Sequence, residues 1–257
     1  MTGPSRLGWK VRRMAMKGVL SGREVNFENL FQNDNVAVFP RLGVLLNRIK
    51  KSGNTKVLAF LDDIERVQST DATEMETSVE LKSGRRVHMT ALGDILRMRS
   101  FSTLVTVRNP YYRAISGFLD KIAKGTNPRY EDYPFFGEDG PEVFESFLDQ
   151  CGQQNFFGNR HFFPQTALLF QPAERYTKIA RVESLPEDMA DFMSRIGQDP
   201  DAAQALRKPH ALEAKEEGKI QNSTEKSHYL TPGARRLIEE MYARDFDVLG
   251  YDRLPDS

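Results

Sequence analysis

The segment Lys50-Lys51-Ser52-Gly53-Asn54-Thr55 combines residue types that can bind a phosphate group. A glycine lets the backbone approach a ligand closely, amides at the start of a helix point outward, and Lys51 adds a full positive charge. The segment is not a Walker A loop, because no Gly-Lys-Ser or Gly-Lys-Thr occurs anywhere in the chain. Lys-Ser-Gly-Asn is also ordinary turn composition, so a purely structural turn stays an open interpretation.

A second cationic segment begins at Arg108, directly after the apolar run Leu104-Val105-Thr106-Val107. Arg113 and Ser116 follow shortly after it. An arginine offers a planar fork for a phosphate, and a serine hydroxyl donates a further hydrogen bond. A structural salt bridge explains Arg108 equally well, although the two segments together indicate ligand binding more strongly than either does alone.

Each of these segments is expected to connect a buried strand to a helix. The capping residues, Asn54 or Thr55 in the first case and Asn109 in the second, indicate where the helices begin. Strands and helices alternate along the chain, which predicts a three-layer α/β fold with a mainly parallel central sheet flanked by helices. In such a sheet ligands bind beyond the carboxyl ends of the strands, where both cationic segments would lie.

The remaining elements follow from apolar periodicity and turn residues. The full set of predicted elements is a strand over 44–49, a helix from Thr55 to about Val67, a hairpin over 79–89, a short helix near 92–96, a strand over 104–107, a helix over 110–122, a surface loop over 125–141, a helix from Pro141 to Cys151, a strand over 176–183, a helix over 189–196, an exposed helix and loop over 198–229, and a last helix from Pro232 to Tyr242.

The charge and composition of the chain exclude several classes of protein. Its 257 residues carry 36 Lys and Arg against 36 Asp and Glu, whereas a nucleic-acid-binding protein usually has a basic excess. The single cysteine, Cys151, excludes a disulfide framework and a cysteine-based metal site, and its place on an apolar stripe predicts burial. No apolar run approaches the roughly 18 residues of a membrane span. These features predict a cytoplasmic protein that does not bind nucleic acid.

Residues 1–35 form a basic N-terminal arm or peripheral segment in this interpretation, and residues 36–257 a single α/β domain. The first 25 residues contain six Lys and Arg and one acid, Glu24, with apolar residues between them. This composition fits a mobile arm, a helix packed on the domain, or a segment in peripheral contact with the anionic inner face of a membrane.

The segment that starts at Val107 resembles a known family. Val107-Arg108-Asn109-Pro110-Tyr111-Tyr112-Arg113-Ala114-Ile115-Ser116-Gly117-Phe118, followed by Asp120-Lys121, is similar to the 3′-phosphate-binding segment of sulfotransferases. The resemblance is especially to carbohydrate sulfotransferases of the family 2 type and their bacterial relatives. Residues 50–55 resemble the 5′-phosphosulfate loop of the same family, usually Pro-Lys-x-Gly-x-Thr. Further similarity lies at 159–165, 179–188 and 242–251.

The resemblance implies a P-loop-like fold and the donor 3′-phosphoadenosine-5′-phosphosulfate (PAPS). By similarity, the residues that would bind the donor are Lys51, Ser52, Gly53, Asn54 and Thr55 at the 5′-phosphosulfate, Arg108 and Ser116 at the 3′-phosphate, and Asn222 and Ser223 from a late loop. Lys51 is the expected catalytic cation, because charge develops on the bridging oxygen as the sulfuryl group leaves. Lys50 replaces the family's proline, so either lysine is a candidate to face the sulfate.

The general base that takes the acceptor proton has several candidates. His161 has the strongest positional resemblance, but a histidine beside Phe162 and Phe163 also fits simple packing. The other candidates are His88 and the carboxylates Asp62, Asp63 and Glu65, which fit a solvated helix face equally well. The histidines show no metal-ligand spacing, and the family needs no metal for sulfuryl transfer.

The resulting hypothesis is a sulfotransferase that sulfates a hydroxyl of a carbohydrate or glycolipid. The alternatives are a non-catalytic nucleotide-binding protein, suggested by Lys50 and the open choice of base, and a P-loop kinase-like phosphotransferase. The loops at 68–100, 125–140 and 198–229 are expected to select the acceptor. The aromatic residues Tyr130, Tyr133, Phe135 and Phe136 suit either a sugar platform or the core beneath their loop.

Overall fold

The computed structural model describes residues 6–32, 35–67, 92–207 and 227–255. The predicted features that lie outside these residues are the hairpin over 79–89, the candidate base His88, and the candidate nucleotide-binding residues Asn222 and Ser223. Most of the predicted helix and loop over 198–229 and of the predicted acceptor loop over 68–100 lies outside them as well.

The chain divides into two compact units. Unit 1 comprises Met1–Ile49, Gly53–Val107 and Leu169–His210, and unit 2 comprises Lys50–Ser52, Arg108–Leu168 and Ala211–Ser257. The predicted separation of residues 1–35 from a domain at 36–257 stays a prediction.

The described residues contain nine α-helices and a four-stranded sheet. The helices are α1 (Arg6–Val19), α2 (Phe27–Phe31), α3 (Asn54–Val67), α4 (Leu92–Arg97), α5 (Pro110–Phe118), α6 (Pro141–Gln153), α7 (Leu185–Arg195), α8 (Pro232–Met241) and α9 (Ala243–Leu249). The strands are β1 (Val36–Phe39), β2 (Val44–Asn47), β3 (Ser102–Val107) and β4 (Lys178–Arg181), adjacent in that order. β1 is antiparallel to β2, whereas β2, β3 and β4 are parallel. The predicted α/β class with a mainly parallel sheet is confirmed.

The core of unit 1 lies on one face of this sheet. Because side chains alternate across a strand, every second residue of β1 and β2 points to this face. Helices α3 and α7 cover it, and burial of each large apolar side chain stabilises the packing by about 1.5–3 kcal/mol. This packing holds the start of α3, and with it the end of the 50–55 segment. The core residues include Ala37, Phe39, Val44, Leu46, Val57, Leu61, Leu104, Ala180, Met189 and Phe192.

β1 is absent from the elements predicted from the sequence, and β4 is shorter than predicted. The β1 run of four buried residues is too short to identify by periodicity, and it is recognisable as a strand only through its pairing with β2. The strand predicted over 176–183 is confined to Lys178–Arg181. Asp188 ends it, because its Oδ2 accepts hydrogen bonds from Arg181 N and Ser184 Oγ, both at 2.8 Å, and turns the chain out of the sheet.

Unit 2 is mainly helical in its described residues. The Phe118 ring of α5 lies 5.2 Å from the Phe144 ring and 5.3 Å from the Phe147 ring of α6, centroid to centroid. Cys151 is buried on the same face of α6, as predicted, and burial raises the pKa of its thiol to about 12. Asn109 caps α5 by accepting a hydrogen bond from Tyr111 N at 3.0 Å, which confirms the predicted cap.

The helix predicted over 110–122 has a different end. Regular α-helix stops at Phe118, and Leu119–Ala123 forms a π-helical turn. The apolar spacing of this segment does not distinguish the wider turn from an α-helix, so the pattern could not reveal it. π-turns inside helices are frequent at functional sites.

The N-terminal segment is helical over its described residues. Met16 and Leu20 are buried, and α1 contacts α4 within unit 1, which fits the packed-helix alternative. Val11 and Met14 on α1 are exposed, with 50% and 74% of their surface accessible. Within the described residues, no helix has the length and apolar character that crossing a bilayer requires.

Candidate functional site

The loop between β2 and α3 has a left-handed backbone at two positions. Lys51 has φ +66° and Gly53 has φ +67°. The left-handed conformation is costly for a lysine, by about 1–3 kcal/mol, and residues held in it cluster at functional sites. A backbone that alternates into this region forms a concave group of amides that suits an anion. This geometry fits an anion-binding loop, and it also fits a structural turn.

The start of α3 is fixed on the unit 1 side of this loop. The Asn54 side chain donates to the Ile49 carbonyl at 2.9 Å and so closes the loop across its base. A Cβ on Gly53 would lie 3.2 Å from Val182 Cγ2, and its positive φ disfavours other residues as well. Asn54 is buried and Thr55 is exposed at the first turn of α3.

Ser52 and Arg108 are joined in unit 2 by a glutamine. Ser52 is fully buried, and its Oγ donates to Gln165 Oε1 at 2.9 Å. The same oxygen accepts from Arg108 N at 2.9 Å, and Gln165 Nε2 donates to the Arg108 carbonyl at 2.8 Å. One side chain thus contacts a residue from each of the two segments that the sequence marks as anion-binding.

Arg113 lies beneath the start of the loop. Its guanidinium is 2% exposed, and Nε donates to the Lys50 carbonyl at 3.1 Å. Burial lowers its pKa, and Nη2 has no hydrogen-bond partner among the described residues. The sequence proposes Arg113 only as a neighbour of Arg108, whereas the structure shows that it holds the backbone at the position where the family has proline. Ser116, one turn later on α5, is half-buried.

The Asp120 carboxylate forms salt bridges with three lysines. It lies 3.1 Å from Lys51 Nζ, 2.8 Å from Lys121 Nζ and 2.9 Å from Lys124 Nζ. Burial acts to raise the pKa of Asp120, but the lysine charges outweigh it and hold the pKa far below the usual range. Burial lowers the pKa of Lys51, and Asp120 only partly offsets this effect. The four groups carry two surplus positive charges, which makes the cluster attractive to an anion.

His161 faces the same cluster within unit 2. Burial, together with the charges of Lys121, Lys50 and Lys51, lowers its pKa to about 3. Its buried Nδ1 has no hydrogen-bond partner in the part of the chain that the structure describes. A neutral imidazole with a spare ring nitrogen is suited to accept a proton. The imidazole is thus in the neutral form that a base requires, and its lowered pKa makes it a weak base while no ligand is bound.

The other candidate bases lie on α3 in unit 1. Asp62 pairs with Arg66 at 3.0 Å, and Asp63 is exposed. Glu65 is only 6% exposed, so the expected solvated face is wrong for this residue. Glu65 points inward because α3 packs on the sheet, and its Oε2 lies 3.5 Å from Leu42 N.

The aromatic residues of the 125–141 segment are largely packed. Tyr130 is buried, its ring lies 5.4 Å from that of Tyr133, and its edge contacts the His161 ring at 6.4 Å between centroids. Lys121 Nζ lies 5.6 Å from the Tyr130 ring centre. Tyr130 is thus a core residue that supports His161. Tyr133, Phe135 and Phe136 are half-buried.

The sequence-predicted residues are distributed over both units. Lys51, Ser52, Arg108, Ser116 and His161 belong to unit 2, whereas Gly53, Asn54 and Thr55 belong to unit 1. Asp120 and Gln165 have no role predicted from the sequence, although both lie in segments that resemble the family. Nothing in a local pattern signals their contacts, because Asp120 reaches Lys51 and Gln165 reaches Ser52 from distant parts of the chain. Among the described residues, no cluster of His, Cys, Asp and Glu could hold a metal ion.

Comparisons with known proteins point to one family. A family model described as the sulfotransferase family matches residues 34–252. Carbohydrate sulfotransferase 10 of Homo sapiens is 26% identical over 186 residues, which cover 62% of this chain and 49% of that protein. Carbohydrate sulfotransferase 10 of Rattus norvegicus is 25% identical over 261 residues, covering 88% and 69%. The chain therefore spans about half the length of the human relative. No solved structure matched the chain.

Proposed function

The chain belongs to the sulfotransferase family, and on that premise we propose that it transfers a sulfuryl group from PAPS to a hydroxyl of a carbohydrate. The observation that supports this function most directly is the cationic cluster at Lys51. Three ammonium groups surround one carboxylate there, next to a loop with a left-handed backbone at Lys51 and Gly53. The relatives' printed names support a carbohydrate acceptor.

The residues present fit the two anionic ends of PAPS. Lys51, Ser52, Gly53, Asn54 and Thr55 would hold the 5′-phosphosulfate, because the loop supplies amides and a surplus positive charge. Arg108 and Ser116 would hold the 3′-phosphate, and both are partly accessible to a ligand. The late-loop residues Asn222 and Ser223 stay a prediction.

Lys51 would stabilise the charge that forms during transfer. PAPS supplies the sulfuryl group, and the products are the sulfate ester and adenosine 3′,5′-bisphosphate. The bond from sulfur to the bridging phosphate oxygen breaks while a bond from sulfur to the acceptor oxygen forms. The Lys51 ammonium lowers the barrier because the bridging oxygen gains negative charge in the transition state. Burial lowers the pKa of Lys51, so this ammonium releases its proton more readily than an exposed lysine does.

His161 would take the proton of the acceptor hydroxyl. At neutral pH it is uncharged, because its pKa of about 3 lies far below that of ordinary histidine. Negative charge from a bound donor would raise that pKa and make the imidazole a better base. Asp62, Asp63 and Glu65 stay alternatives, and the buried Nδ1 of His161, which has no partner among the described residues, favours His161 over these three. His88, which lies outside the described residues, stays a prediction.

A glycolipid acceptor and a location at the inner face of the cytoplasmic membrane form a second part of the proposal. Support comes from α1, where exposed Val11 and Met14 stand beside exposed Lys10 and Lys17. Apolar side chains among lysines suit an anionic lipid surface. Sedimentation with anionic and with neutral vesicles tests the contact. Val11→Ser with Met14→Ser should reduce binding to anionic vesicles, and equal binding of the variant would contradict it.

Calorimetric titration with adenosine 3′,5′-bisphosphate and with ATP tests the donor assignment. The wild type should prefer the bisphosphate, which carries the 3′-phosphate that ATP lacks. Arg108→Ala and Lys51→Ala should each weaken its binding. Arg195→Ala is the matched control, because this exposed arginine pairs with Asp191 on α7 in unit 1 and should have no effect. Equal or tighter binding of ATP would favour the kinase-like alternative. Donor binding without transfer to any acceptor would favour a non-catalytic protein.

A further inference from the structure

The oxygen and the nitrogen of the Gln165 side-chain amide both make hydrogen bonds within unit 2. Gln165 is 0% exposed, and its Oε1 accepts two hydrogen bonds, from Ser52 Oγ and Arg108 N, both at 2.9 Å. Its Nε2 donates to the Arg108 carbonyl at 2.8 Å. The pairing with Arg108 therefore reproduces the two-bond contact of adjacent strands. The third bond, from Ser52 Oγ, connects Gln165 to the 50–55 segment.

Asp245 in turn fixes Gln165. This carboxylate is fully buried in α9, and its Oδ2 accepts from Gln165 N at 2.7 Å. Its Oδ1 accepts from Thr166 N at 2.9 Å and from Thr166 Oγ1 at 2.8 Å. Hydrogen bonds to a carboxylate are stronger than those between neutral groups. Gln165 thus has little freedom to move relative to the C-terminal helices.

The chemistry of this position requires an amide. Only asparagine and glutamine side chains offer an acceptor oxygen and a donor nitrogen on one planar group. A leucine would leave Arg108 N, the Arg108 carbonyl and Ser52 Oγ without the partner described here, and such buried groups are costly. A glutamate keeps the volume and the acceptor but places an oxygen against the Arg108 carbonyl.

We propose that Gln165 is a positioning residue that fixes the spacing between Ser52 and Arg108, so that both anionic ends of the donor are bound at once. The inference rests on the proposed function, which assigns Ser52 to the 5′-phosphosulfate and Arg108 to the 3′-phosphate. A ligand with two charged ends gains affinity from the second end only when the two subsites stand at the matching distance. Catalysis makes the same geometric demand, since a misplacement of about 1 Å can cost about a hundredfold in rate.

The test compares three ligands by calorimetry: adenosine 3′,5′-bisphosphate, adenosine 5′-monophosphate and adenosine 3′-monophosphate. In the wild type the bisphosphate should bind more tightly than either monophosphate. Gln165→Leu should weaken binding of the bisphosphate by about tenfold to a hundredfold, the loss expected for one hydrogen bond to a charged group, while binding of each monophosphate changes by less than about threefold. Gln165→Glu, which preserves the side-chain volume, should show the same selective loss and serves if the leucine variant does not fold.

Gln171→Leu is the matched control. Gln171 is 5% exposed, and its Nε2 donates to Thr103 Oγ1 at 2.9 Å and to the Arg175 carbonyl at 3.0 Å, all in unit 1. It should cost stability without changing the ratio of the three affinities. Equal weakening of all three ligands by the Gln165 variants, or no weakening, would overturn the positioning role. A wild type that does not prefer the bisphosphate to ATP would instead overturn the proposed function.

Discussion

Asp120→Asn offers the most direct test of the charge cluster. The substitution removes a negative charge 3.1 Å from Lys51 Nζ and leaves Lys121 and Lys124 nearby. At this distance, an effective dielectric constant between about 80 and 20 gives an interaction of about 1–5 kcal/mol. A cation that loses an anionic partner holds its proton less tightly, so the pKa of Lys51 falls further. Even the weak limit moves the titration of Lys51 by about one pH unit toward lower pH.

The assay needs no acceptor. Only the uncharged amine reacts with acetic anhydride, so mass spectrometry of labelled peptides across a pH series gives the titration midpoint of Lys51. In the variant this midpoint should lie at lower pH than in the wild type. Once an acceptor is identified, the alkaline limb of the pH profile of kcat should also move to lower pH, because the ammonium form of Lys51 is the active form.

Asp191→Asn is the control for this experiment. Asp191 accepts from Lys178 Nζ at 2.8 Å in unit 1, and this contact helps raise the pKa of Lys178. The control should lower the labelling midpoint of Lys178 and leave that of Lys51 unchanged. An Asp120→Asn protein with an unaltered or higher Lys51 midpoint would refute the assignment of Asp120 as the partner that keeps Lys51 charged.

Three further predictions concern the loop, the base and the strand end. Gly53→Ala should destabilise the protein by about 1–3 kcal/mol in urea unfolding, because its φ is +67° and Val182 crowds the Cβ position. Gly18→Ala, which meets no atom within 4 Å, should be neutral or stabilising, and similar losses in both would contradict the argument. His161→Gln should lower kcat by about 10²–10⁴-fold with little change in bisphosphate affinity, and an unchanged kcat would reassign the base. Burial acts to raise the pKa of Asp188, but hydrogen bonds, the first from Lys178, lower it overall. Asp188→Asn should therefore lose stability at neutral pH, and the difference from the wild type should shrink as the pH falls through the acid range, whereas a constant difference would exclude the ionised carboxylate as its source.

The sequence predicts best those elements whose signals lie in neighbouring residues. The strand at 104–107, the cap at Asn109 and the start of α8 after Thr231 each have a signal in neighbouring residues, and the structure contains all three. β1 is recognisable only through its partner strand, and the end of β4 depends on the hydrogen bond that Arg181 N donates to Asp188 of the following helix. These contacts form only in the folded chain, so the pattern of neighbouring residues does not predict them.

The candidate site divides in the same way. Residue types and spacing mark Lys51, Arg108 and Ser116 in the two cationic segments, and the family resemblance marks His161; the roles of these four residues stay predictions. The lowered pKa of His161 could not be predicted, since it comes from burial and from lysines far along the chain.

The sequence by itself determined the α/β class, the two cationic turns and the family resemblance, because each of these depends on residues that are contiguous in the chain. The tertiary structure alone decided that Asp120 gathers Lys51, Lys121 and Lys124, and that Gln165 joins Ser52 to Arg108. The physical reason is that charge interaction and hydrogen bonding act over a few ångströms of space. Residues separated by more than a hundred positions, such as Ser52 and Gln165, come within that distance only when the chain folds.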